Sequence, residues 1–425
     1  MREKRTVITV KEAVRRVMQH TYVGSKETIP LEEAYGRYLA EDLRANQDVP
    51  AFDRSPYDGF AIRAEDTEKG PSMFEVIGEI RAGTVFNREV GAYQAVRIMT
   101  GAQIPTGCDV VVMVELVKEF EDNDKTHIHI KRSFKKGDNI AYQGEDTKKG
   151  MILAKKGTYI NPGIVALLAT FGFSEIAVTQ KPVVGILAIG TDLLDVNEPL
   201  EQGKIRDSNT AMLLSQIQRL GGSVKYFGRI KGEYTLYVKT IKEALSQVDL
   251  LITTGGASVG DHDYLPAIYE QLGATVLFNK VAMRPGSITT VAHVDGKLLF
   301  GLSGNPSACY VGFELFVRPV INTYMDNPKP HMKKEKAILN ANVLKANPFL
   351  RFVRAKLVTK DEKRFISPCG LDKSSSVASL AQTNAFIVFP GGTQGYRKGM
   401  LVDVLLLEEK VGSEWPWNDL FPSYK

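Results

Sequence analysis

The sequence predicts a multidomain protein in which a doubly wound α/β domain is flanked by β-rich regions. In the middle of the chain, short apolar runs alternate with amphipathic segments of helical length, which is typical of a parallel sheet covered on both faces. Before and after this stretch, the apolar runs are short and separated by glycine turns, which indicates β structure. The length of 425 residues is enough for about three domains.

The amino-terminal part predicts a helix, a polar loop and then a series of strands. Thr9 and Glu12 form a capping box ahead of apolar residues at helical spacing, and a second short helix is predicted over 31–39. Short apolar runs over 74–131 predict a β domain inserted into a mixed domain. The predicted domains are a mixed amino-terminal domain (1–50 and 140–180), an inserted β domain (51–139), an α/β domain (181–327) and a carboxyl-terminal β barrel (328–425).

The central alternation predicts a parallel, doubly wound sheet. Asn209 is expected to cap its first helix and Gly221 to end it, whereas the last helix, opened by Asn305, is expected to bend near Pro319. The predicted strands are 183–189, 224–227, 250–253, 275–278, 288–294 and 298–302, and the predicted helices include 209–220 and 234–245.

Composition excludes several classes of protein. The net charge of +5 is mild and long runs of Lys and Arg are absent from the sequence, so a nucleic-acid partner is not indicated. The three cysteines are widely spaced and odd in number, which argues against a disulfide framework and for reduced thiols. No signal-peptide core or apolar run of roughly 18 residues is present, so we expect a cytoplasmic protein without membrane contact.

The loop 253–263 follows an apolar run, as expected of a loop at the carboxyl end of a buried strand, where open α/β sheets bind ligands. Its glycines let backbone amides approach an oxyanion, and its acids suit a hard cation. Because it lacks the Lys-Ser/Thr of a P-loop, a tight turn with an Asp cap is an equal alternative. The relevant residues are Gly255, Gly256, Ser258, Gly260, Asp261 and Asp263.

Four further loops, 190–192, 203–209, 280–287 and 301–307, are predicted at strand ends or helix starts. Each alone reads as ordinary turn chemistry. Five loops on one edge of a sheet nevertheless favour an active site. An oxyanion such as phosphate or molybdate is expected at the Asn305 helix start, where Ser303 and Ser307 would help to hold it. Lys280 and Arg284 would neutralise its charge. Magnesium is expected on Asp192 and Asp263.

Taken together and in order, these motifs resemble the MoeA family of molybdopterin molybdenumtransferases, relatives of the gephyrin E domain. The resemblance covers nearly the whole chain, and several independent motifs are far more specific than one. The motifs that carry it are 52–61, 98–102, 144–146, 203–209, 254–261, 284–286 and 304–306.

The resemblance implies an elongated, four-part subunit with a MogA/MoaB-like α/β domain, acting as a homodimer with the active site between subunits. It implies insertion of molybdenum from molybdate into adenylylated molybdopterin, with magnesium and release of AMP, and a MogA/MoaB-like adenylylating partner. Asp192 and Asp263 match family carboxylates associated with magnesium and the adenylate, while Asp58 and Thr100 match loops that would close the cleft from the partner subunit. Residues matching the molybdate and phosphate pocket are Lys280, Arg284, Ser307, Arg354 and Ser374.

The chain departs from the family pattern at several positions. Ser287 and Ser303 stand where many members carry Lys and Pro, Glu233 follows Gly232 where many carry Asp, and Asp192 shortens the usual carboxylate. These departures leave two alternatives, a non-catalytic scaffold and a nucleotide-processing homologue. The presence of Asp58, Thr100, Asp192 and Asp263 favours catalysis.

Overall fold

A computed structural model describes residues 6–230, 234–256, 265–345, 347–408 and 414–417. The chain divides into two compact units. Unit 1 comprises Met1–Glu41, Lys156–Val165 and Ser174–Lys425, and unit 2 comprises Asp42–Lys155 and Ala166–Phe173. Within the described ranges, no helix combines the length and apolar character needed to cross a membrane.

The described residues form seven α-helices and short helical turns. A π-helical turn, Phe313–Val317, joins the last two α-helices, and 3₁₀ turns occur at Leu31–Glu33, Ala64–Thr67, Val114–Leu116 and Ala378–Leu380. The α-helices are α1 (Val10–Met18), α2 (Pro162–Thr170), α3 (Ser208–Arg219), α4 (Tyr234–Leu245), α5 (Leu265–Gln271), α6 (Pro306–Gly312) and α7 (Arg318–Tyr324).

Twenty-four strands complete the described secondary structure. The first ten are β1 (Lys26–Pro30), β2 (Leu43–Arg44), β3 (Gly59–Ile62), β4 (Ser72–Ile80), β5 (Gln94–Ile98), β6 (Val110–Met113), β7 (Val117–Asp122), β8 (Lys125–Ile130), β9 (Ile152–Ala154) and β10 (Glu175–Thr179). The next nine are β11 (Val183–Ile189), β12 (Leu193–Leu194), β13 (Ile205–Arg206), β14 (Ser223–Ile230), β15 (Leu250–Gly255), β16 (Thr275–Phe278), β17 (Met283–Arg284), β18 (Thr290–Val294) and β19 (Lys297–Leu302). The last five are β20 (Lys334–Leu339), β21 (Leu350–Lys360), β22 (Lys363–Pro368), β23 (Ala385–Phe389) and β24 (Leu401–Leu406).

The first helix forms as its capping box predicts. The Thr9 side chain accepts a hydrogen bond of 3.2 Å from the Glu12 amide, and Val10, Val14 and Val17 are buried. These apolar residues pack in the same core as one face of the central sheet. The prediction of a second helix over 31–39 is wrong. Only a 3₁₀ turn forms at its start, and Leu39 at its end pairs with Val178 as an isolated β-bridge.

The central sheet has the strand order β14-β11-β15-β19-β18-β16. The β14–β11, β11–β15 and β15–β19 pairs are parallel, whereas β19–β18 and β18–β16 are antiparallel. The prediction of a wholly parallel sheet is therefore wrong at one edge. Asp295 and Gly296 have φ of 50° and 79° and join β18 to β19, and a two-residue turn with positive φ connects only antiparallel strands.

The two faces of this sheet are covered by different helices, which confirms the doubly wound architecture. Val184 and Ile186 on β11 belong to a core that includes residues of α1, α3 and α6, whereas Leu187 and Ile189 belong to a second core with α4 and α5. The alternation follows from the two-residue period of a strand. The carboxyl ends of the parallel strands consequently open at one edge, beside the starts of α3 and α6.

Two predicted helix boundaries have definite outcomes. Asp207, not Asn209, caps α3: its carboxylate accepts hydrogen bonds from the Thr210 amide at 3.1 Å and from the Thr210 hydroxyl at 2.6 Å. Asn209 instead lies in the first turn. The predicted irregularity near Pro319 is confirmed, because the π-helical turn ends two residues before it.

The carboxyl-terminal strands close into the predicted barrel. The order β21-β22-β20-β24-β23 returns to β21 through the β21–β23 pair, so five strands form a closed ring. Strand β17, from the α/β part of unit 1, pairs in parallel with β21 and sets Arg284 opposite Arg351. This pairing joins the segment between β16 and β18 to the wall of the barrel.

Unit 2 contains the predicted β structure. Its six-stranded sheet has the order β6-β3-β5-β4-β8-β7. Gly59 begins β3 at a crowded point, since a Cβ there would lie 2.1 Å from the Val112 carbonyl oxygen. The close approach of β3 and β6 therefore requires glycine.

Candidate functional site

The carboxyl ends of the parallel strands line a cavity of about 960 Å³, which we call the strand-end cavity. It lies where open α/β sheets bind ligands. Its lining includes Gly190, Asp192, Asp207, Asn209, Gly255, Gly256, Gly286, Ser287, Ser303, Gly304, Asn305 and Ser374. The structure thus brings together residues from all five loops that the sequence singled out.

Gly255 forms a wall of this cavity through its backbone. Its φ is +85°, and a Cβ on it would lie 2.1 Å from the carbonyl oxygen of Ile189. Gly256 also has a positive φ of +69°, and Gly304 approaches Gly255 so closely that an added Cβ would meet its Cα at 3.5 Å. Glycine at position 255 therefore allows the main chain of β15 to pack directly against the end of β11.

Asn209 holds three of these loops together, a role that its position at a predicted helix start did not reveal. Its Nδ2 donates to the Thr254 hydroxyl at 2.8 Å, the Ser303 carbonyl at 3.3 Å and the Gly304 carbonyl at 2.9 Å. Its buried Oδ1 has no hydrogen-bond partner among the described residues. An acceptor is therefore left beside the cavity that Asn209 lines.

Asp192 presents an exposed carboxylate at the end of β11. No described residue donates a hydrogen bond to this carboxylate, although its backbone carbonyl accepts from the Ile205 amide at 2.9 Å. The described part of the chain contains no group of three or more His, Cys, Asp or Glu side chains arranged for a metal. A single free carboxylate beside a phosphate cavity is nevertheless the kind of ligand magnesium uses, because magnesium keeps several waters.

The start of α6 is fixed by hydroxyls and by the loop after β22. The Asn305 amide donates to the Ser303 hydroxyl at 3.2 Å, and the Ser307 amide donates to the Ser374 carbonyl at 3.0 Å. Ser307 is buried and its hydroxyl donates to the Ser376 carbonyl at 2.5 Å, so it fastens two loops and does not line either cavity. Ser303, Asn305 and Ser374 line the strand-end cavity.

A second cavity, of about 510 Å³, lies against the barrel and is called here the barrel-side cavity. It shares Gly286, Ser287 and Ser374 with the strand-end cavity, so the two adjoin. Its other lining residues are Arg284, Pro285, Lys345, Asn347, Arg351, Arg354, Asp372, Lys373 and Ser375. Five cationic side chains and one carboxylate make it strongly attractive to anions.

Arg354 is buried in the wall of the barrel-side cavity with its guanidinium held in one orientation. Nε donates to the Ser379 hydroxyl at 2.8 Å, and Nη2 donates to the carbonyls of Leu371 at 3.1 Å and Lys373 at 3.2 Å. Burial lowers the pKa of this guanidinium. Its Nη1 has no partner among the described residues, which leaves one buried donor at the cavity.

Arg351 and Asp372 were not predicted from the sequence. Arg351 pairs with the Asp372 carboxylate, which also accepts from Arg354 Nη2 at 3.4 Å. The carboxylate thereby offsets part of the positive charge and holds both guanidinium groups. Arg351 lies opposite Arg284 in the β17–β21 pair, so only tertiary structure brings these residues together.

Several predicted residues lie elsewhere or outside the described chain. Lys280 precedes β17, its carbonyl accepts from the Ile8 amide at 3.1 Å, and it is not among the residues that line either cavity. Ser258 and Asp263 lie outside the described residues, as do Gly232, Glu233, Gly260 and Asp261.

Asp58 and Thr100 meet within unit 2. The Thr100 amide donates to Asp58 Oδ1 at 2.7 Å and the Thr100 hydroxyl donates to the same atom at 2.8 Å. The amide bond and then the hydroxyl bond lower the pKa of the Asp58 carboxyl. Residues 42 positions apart thus form one exposed unit because Gly59 pairs with Ile98 between β3 and β5.

Taken together, unit 1 offers a glycine-lined cavity that joins a cationic one. The first has room and backbone groups for a phosphate-bearing ligand with an accompanying cation. The second suits an oxoanion, because cationic side chains and hydroxyls line it and guanidinium groups bind such oxygens well. Transfer between the two ligands is the chemistry that such a shared wall permits.

Three family profiles cover most of the chain. Residues 8–172 match the MoeA N-terminal region, described as domains I and II. Residues 185–323 match a profile described as a probable molybdopterin binding domain, and residues 336–407 match the MoeA C-terminal region, described as domain IV.

Full-length relatives agree with these profiles. The chain is 57% identical over 429 residues to the molybdopterin molybdenumtransferase of Bacillus subtilis (strain 168), covering 100% of both chains. It is 47% identical to the enzyme of that name from Staphylococcus aureus (strain COL), covering 97% of this chain and 98% of the relative. A molybdopterin biosynthesis MoeA protein from Pyrococcus horikoshii matches with a TM-score of 0.84 and 29% identity, covering 95% of this chain and 100% of that one. The chain belongs to the MoeA family.

Proposed function

We propose that this chain is a molybdopterin molybdenumtransferase, a transferase of molybdenum cofactor biosynthesis. It transfers molybdenum from molybdate to adenylylated molybdopterin and releases AMP. The observation that supports this proposal is the wall shared by the two cavities, in which Gly286, Ser287 and Ser374 face both. An oxoanion on one side and a phosphate-bearing pterin on the other meet there without leaving the protein.

The barrel-side cavity is the proposed molybdate site. Molybdate is a dianion, and Arg354 offers it a buried, unpartnered N–H while Arg284 adds a second guanidinium. Charge-assisted hydrogen bonds of this kind are roughly twice as strong as neutral ones. Ser374 supplies a hydroxyl in the lining that the two cavities share, and Lys280, which lines neither cavity, remains a proposed countercharge.

The strand-end cavity is the proposed site of the adenylylated pterin. Gly255 and Gly256 line the space proposed for the adenylate and its phosphates, and the start of α6 lines the same space. Asn305 and Ser303 line this start, and Ser307 fixes it to the barrel loop. Ser258, which follows β15 in the sequence, is retained as a proposed ligand on the sequence pattern alone.

Magnesium is the proposed cofactor. Asp192 fits the ion because its carboxylate is exposed at the cavity and unpaired within the described chain, and we assign Asp263 as the second carboxylate. When bound, the ion offsets negative charge on the phosphoanhydride. The Asp192 carboxylate would hold the ion at the strand-end cavity, next to the phosphates of the proposed ligand.

Asp58 and Thr100 are proposed to act in the reaction from the partner subunit of a homodimer. Hydrogen bonds from Thr100 keep the Asp58 carboxylate ionised and in one orientation, which suits a group that positions a cationic or proton-bearing substrate atom. We also propose that a MogA/MoaB-like protein supplies the adenylylated pterin. Three free cysteines agree with a reducing compartment, and we propose the cytoplasm.

The test is AMP release by purified protein given adenylylated molybdopterin, magnesium and molybdate. Replacing Asp192 by Asn removes the carboxylate charge with little change in shape, and we expect AMP release to fall by about 100-fold or more, as for loss of a group that stabilises transition-state charge. Asp195→Asn is the matched control, because Asp195 lies three residues away, is exposed and pairs with Arg229 at the surface. It should retain nearly full activity.

Two outcomes would contradict the proposal. An inactive wild type that folds normally and binds neither molybdate nor the pterin would favour a scaffold. Hydrolysis of an unrelated nucleotide in place of the pterin adenylate would favour the nucleotide-processing alternative. If AMP release fell equally in Asp192→Asn and Asp195→Asn, the role assigned to Asp192 would be wrong, but the proposed function would stand.

A further inference from the structure

Asn347 contributes a neutral side-chain donor to the barrel-side cavity. Its side chain is 8% exposed, and it lines the cavity together with Arg351 and Arg354. Its Nδ2 is buried and has no hydrogen-bond partner among the described residues. Unpartnered buried N–H groups are rare and cost free energy, so such a group beside a ligand cavity points to the ligand as its partner.

The orientation of the Asn347 amide is fixed by the chain around it. The Phe349 amide donates to Asn347 Oδ1 at 3.3 Å, so the oxygen must face this N–H and the NH₂ group must occupy the other corner. The Asn347 backbone is held as well, because its carbonyl accepts from the Gly392 amide at 2.8 Å and it pairs with Thr393. The donor is therefore preorganised before a ligand binds.

Arg354 Nη1 is the second unpartnered donor in the lining of this cavity. The remaining nitrogens of Arg354 are occupied by Ser379 and by the 371–373 loop. The Asp372 carboxylate accepts from Nη2 of Arg351 and from Nη2 of Arg354, so these two nitrogens already have a partner. Two residues of the cavity lining therefore carry a buried donor, one charged and one neutral, that no other described residue uses.

We propose that Asn347 is an oxoanion-binding residue that sets the specificity of the barrel-side cavity. This proposal rests on the function proposed above and extends it to a residue that no local motif marks. A fixed neutral N–H favours a ligand with several acceptor oxygens, whereas a cation alone attracts any anion. Asn347 therefore favours tetrahedral oxoanions over halides of similar charge density.

The test is the affinity for molybdate alone, measured by calorimetry on the full chain near neutral pH. Asn347→Asp keeps the oxygen that accepts from Phe349 but replaces the donor by an anionic acceptor. We expect its affinity for molybdate to fall by more than about 100-fold, and that of Asn347→Ala by about tenfold. Affinity for tungstate should fall in parallel, and chloride should compete better in both variants than in the wild type.

Asn342→Ala is the matched control. Asn342 is exposed in the same segment, its Oδ1 likewise accepts one backbone N–H, from Lys398 at 2.9 Å, and it does not line the cavity. This variant should bind molybdate as the wild type does. Unfolding temperatures of all variants separate a structural role from binding, and Asn347→Ser provides a smaller hydroxyl donor if the Asp variant does not fold.

The outcomes distinguish this inference from the proposed function. A wild type that binds no molybdate overturns both, because the cavity is then not an oxoanion site. A wild type that binds molybdate, with Asn347→Ala and Asn347→Asp binding equally well, overturns only the assignment of Asn347. A loss of affinity that merely follows the loss of unfolding temperature also overturns it, since Asn347 would then act through the fold.

Discussion

The two adjoining cavities are built by different means. The strand-end cavity is shaped by main chain, because Gly255 in its lining lies so close to the Ile189 carbonyl oxygen that a Cβ would not fit between them. The barrel-side cavity is shaped by side chains, above all by Arg351, Arg354 and Asn347. The first therefore depends on strand register and the second on charge and hydrogen bonds. Variants at the two cavities should differ accordingly, with loss of folding in one and loss of binding in the other.

The largest expected effect is on folding, from Gly255→Ala. Its left-handed φ costs about 1–2 kcal/mol for a residue other than glycine. The added Cβ would also lie 2.1 Å from the Ile189 carbonyl oxygen, so β11 and β15 would have to separate. We expect this variant to unfold many degrees below the wild type in thermal unfolding, or not to accumulate as folded protein.

Gly203→Ala is the control for this prediction. Gly203 has a similar φ of +79°, but nothing lies within 4 Å of its added Cβ. Only the backbone cost remains, and the unfolding temperature should fall by a few degrees. Equal losses for the two glycines would contradict a wall shaped by close main-chain approach.

The next effect is on binding, from Arg354→Met. This change removes a charged donor while keeping most of the side-chain volume, and charge-assisted hydrogen bonds are worth about 1.5–3 kcal/mol. We expect affinity for molybdate to fall by about 100-fold in calorimetry. The unfolding temperature should also fall, because the guanidinium holds the carbonyls of Leu371 and Lys373.

Arg364→Met serves as the control on the same barrel. Arg364 lies on β22 and pairs with Glu335, away from both cavities. Its replacement should leave the affinity for molybdate unchanged. If it weakened molybdate binding as strongly as Arg354→Met, the net charge of the barrel and not a particular donor would explain the affinity.

The smallest expected effect concerns alkylation of Cys309, a buried thiol next to Thr254 in the lining of the strand-end cavity. We expect almost no reaction. Burial raises the pKa of this thiol to about 12, and its Sγ lies 3.9 Å from the Thr254 hydroxyl. The thiolate is the reactive form, so alkylation should be negligible near pH 8 and rise only as the pH approaches 12. Peptide mapping after treatment with iodoacetamide measures this in native and unfolded protein. Rapid modification of the native protein would show that the glycine-lined wall opens.

The sequence predicted the strand-end cavity better than the barrel-side cavity, for a physical reason. Glycine, serine and asparagine at the ends of apolar runs are local signals, and Gly255 and Asn305 lie where they indicate. Lys345, Asn347 and Arg351 carry no local signal. They meet Arg284 only through pairing between β17 and β21, and pairing between distant segments is not written in either segment alone.

The contrast between local signals and long-range pairing also explains where the predicted fold was wrong. Asp295-Gly296 is a hairpin signal, but the alternation of strands and helices predicts a continuous parallel series and so misses the antiparallel edge. Asparagine favours the cap position, which predicts Asn209 as the cap, although Asp207 fills it. Asn209 is instead required by Thr254, Ser303 and Gly304, which are contributed by later strands.

The parallel pairing of β17 with β21 attaches the barrel to the α/β part of unit 1. Arg284 and Arg351 are neighbours in one hydrogen-bonded ladder, so their Cα separation is that of adjacent strands. This main-chain pairing therefore ties the segment between β16 and β18 to the barrel, at the point where both arginines enter the lining of the barrel-side cavity.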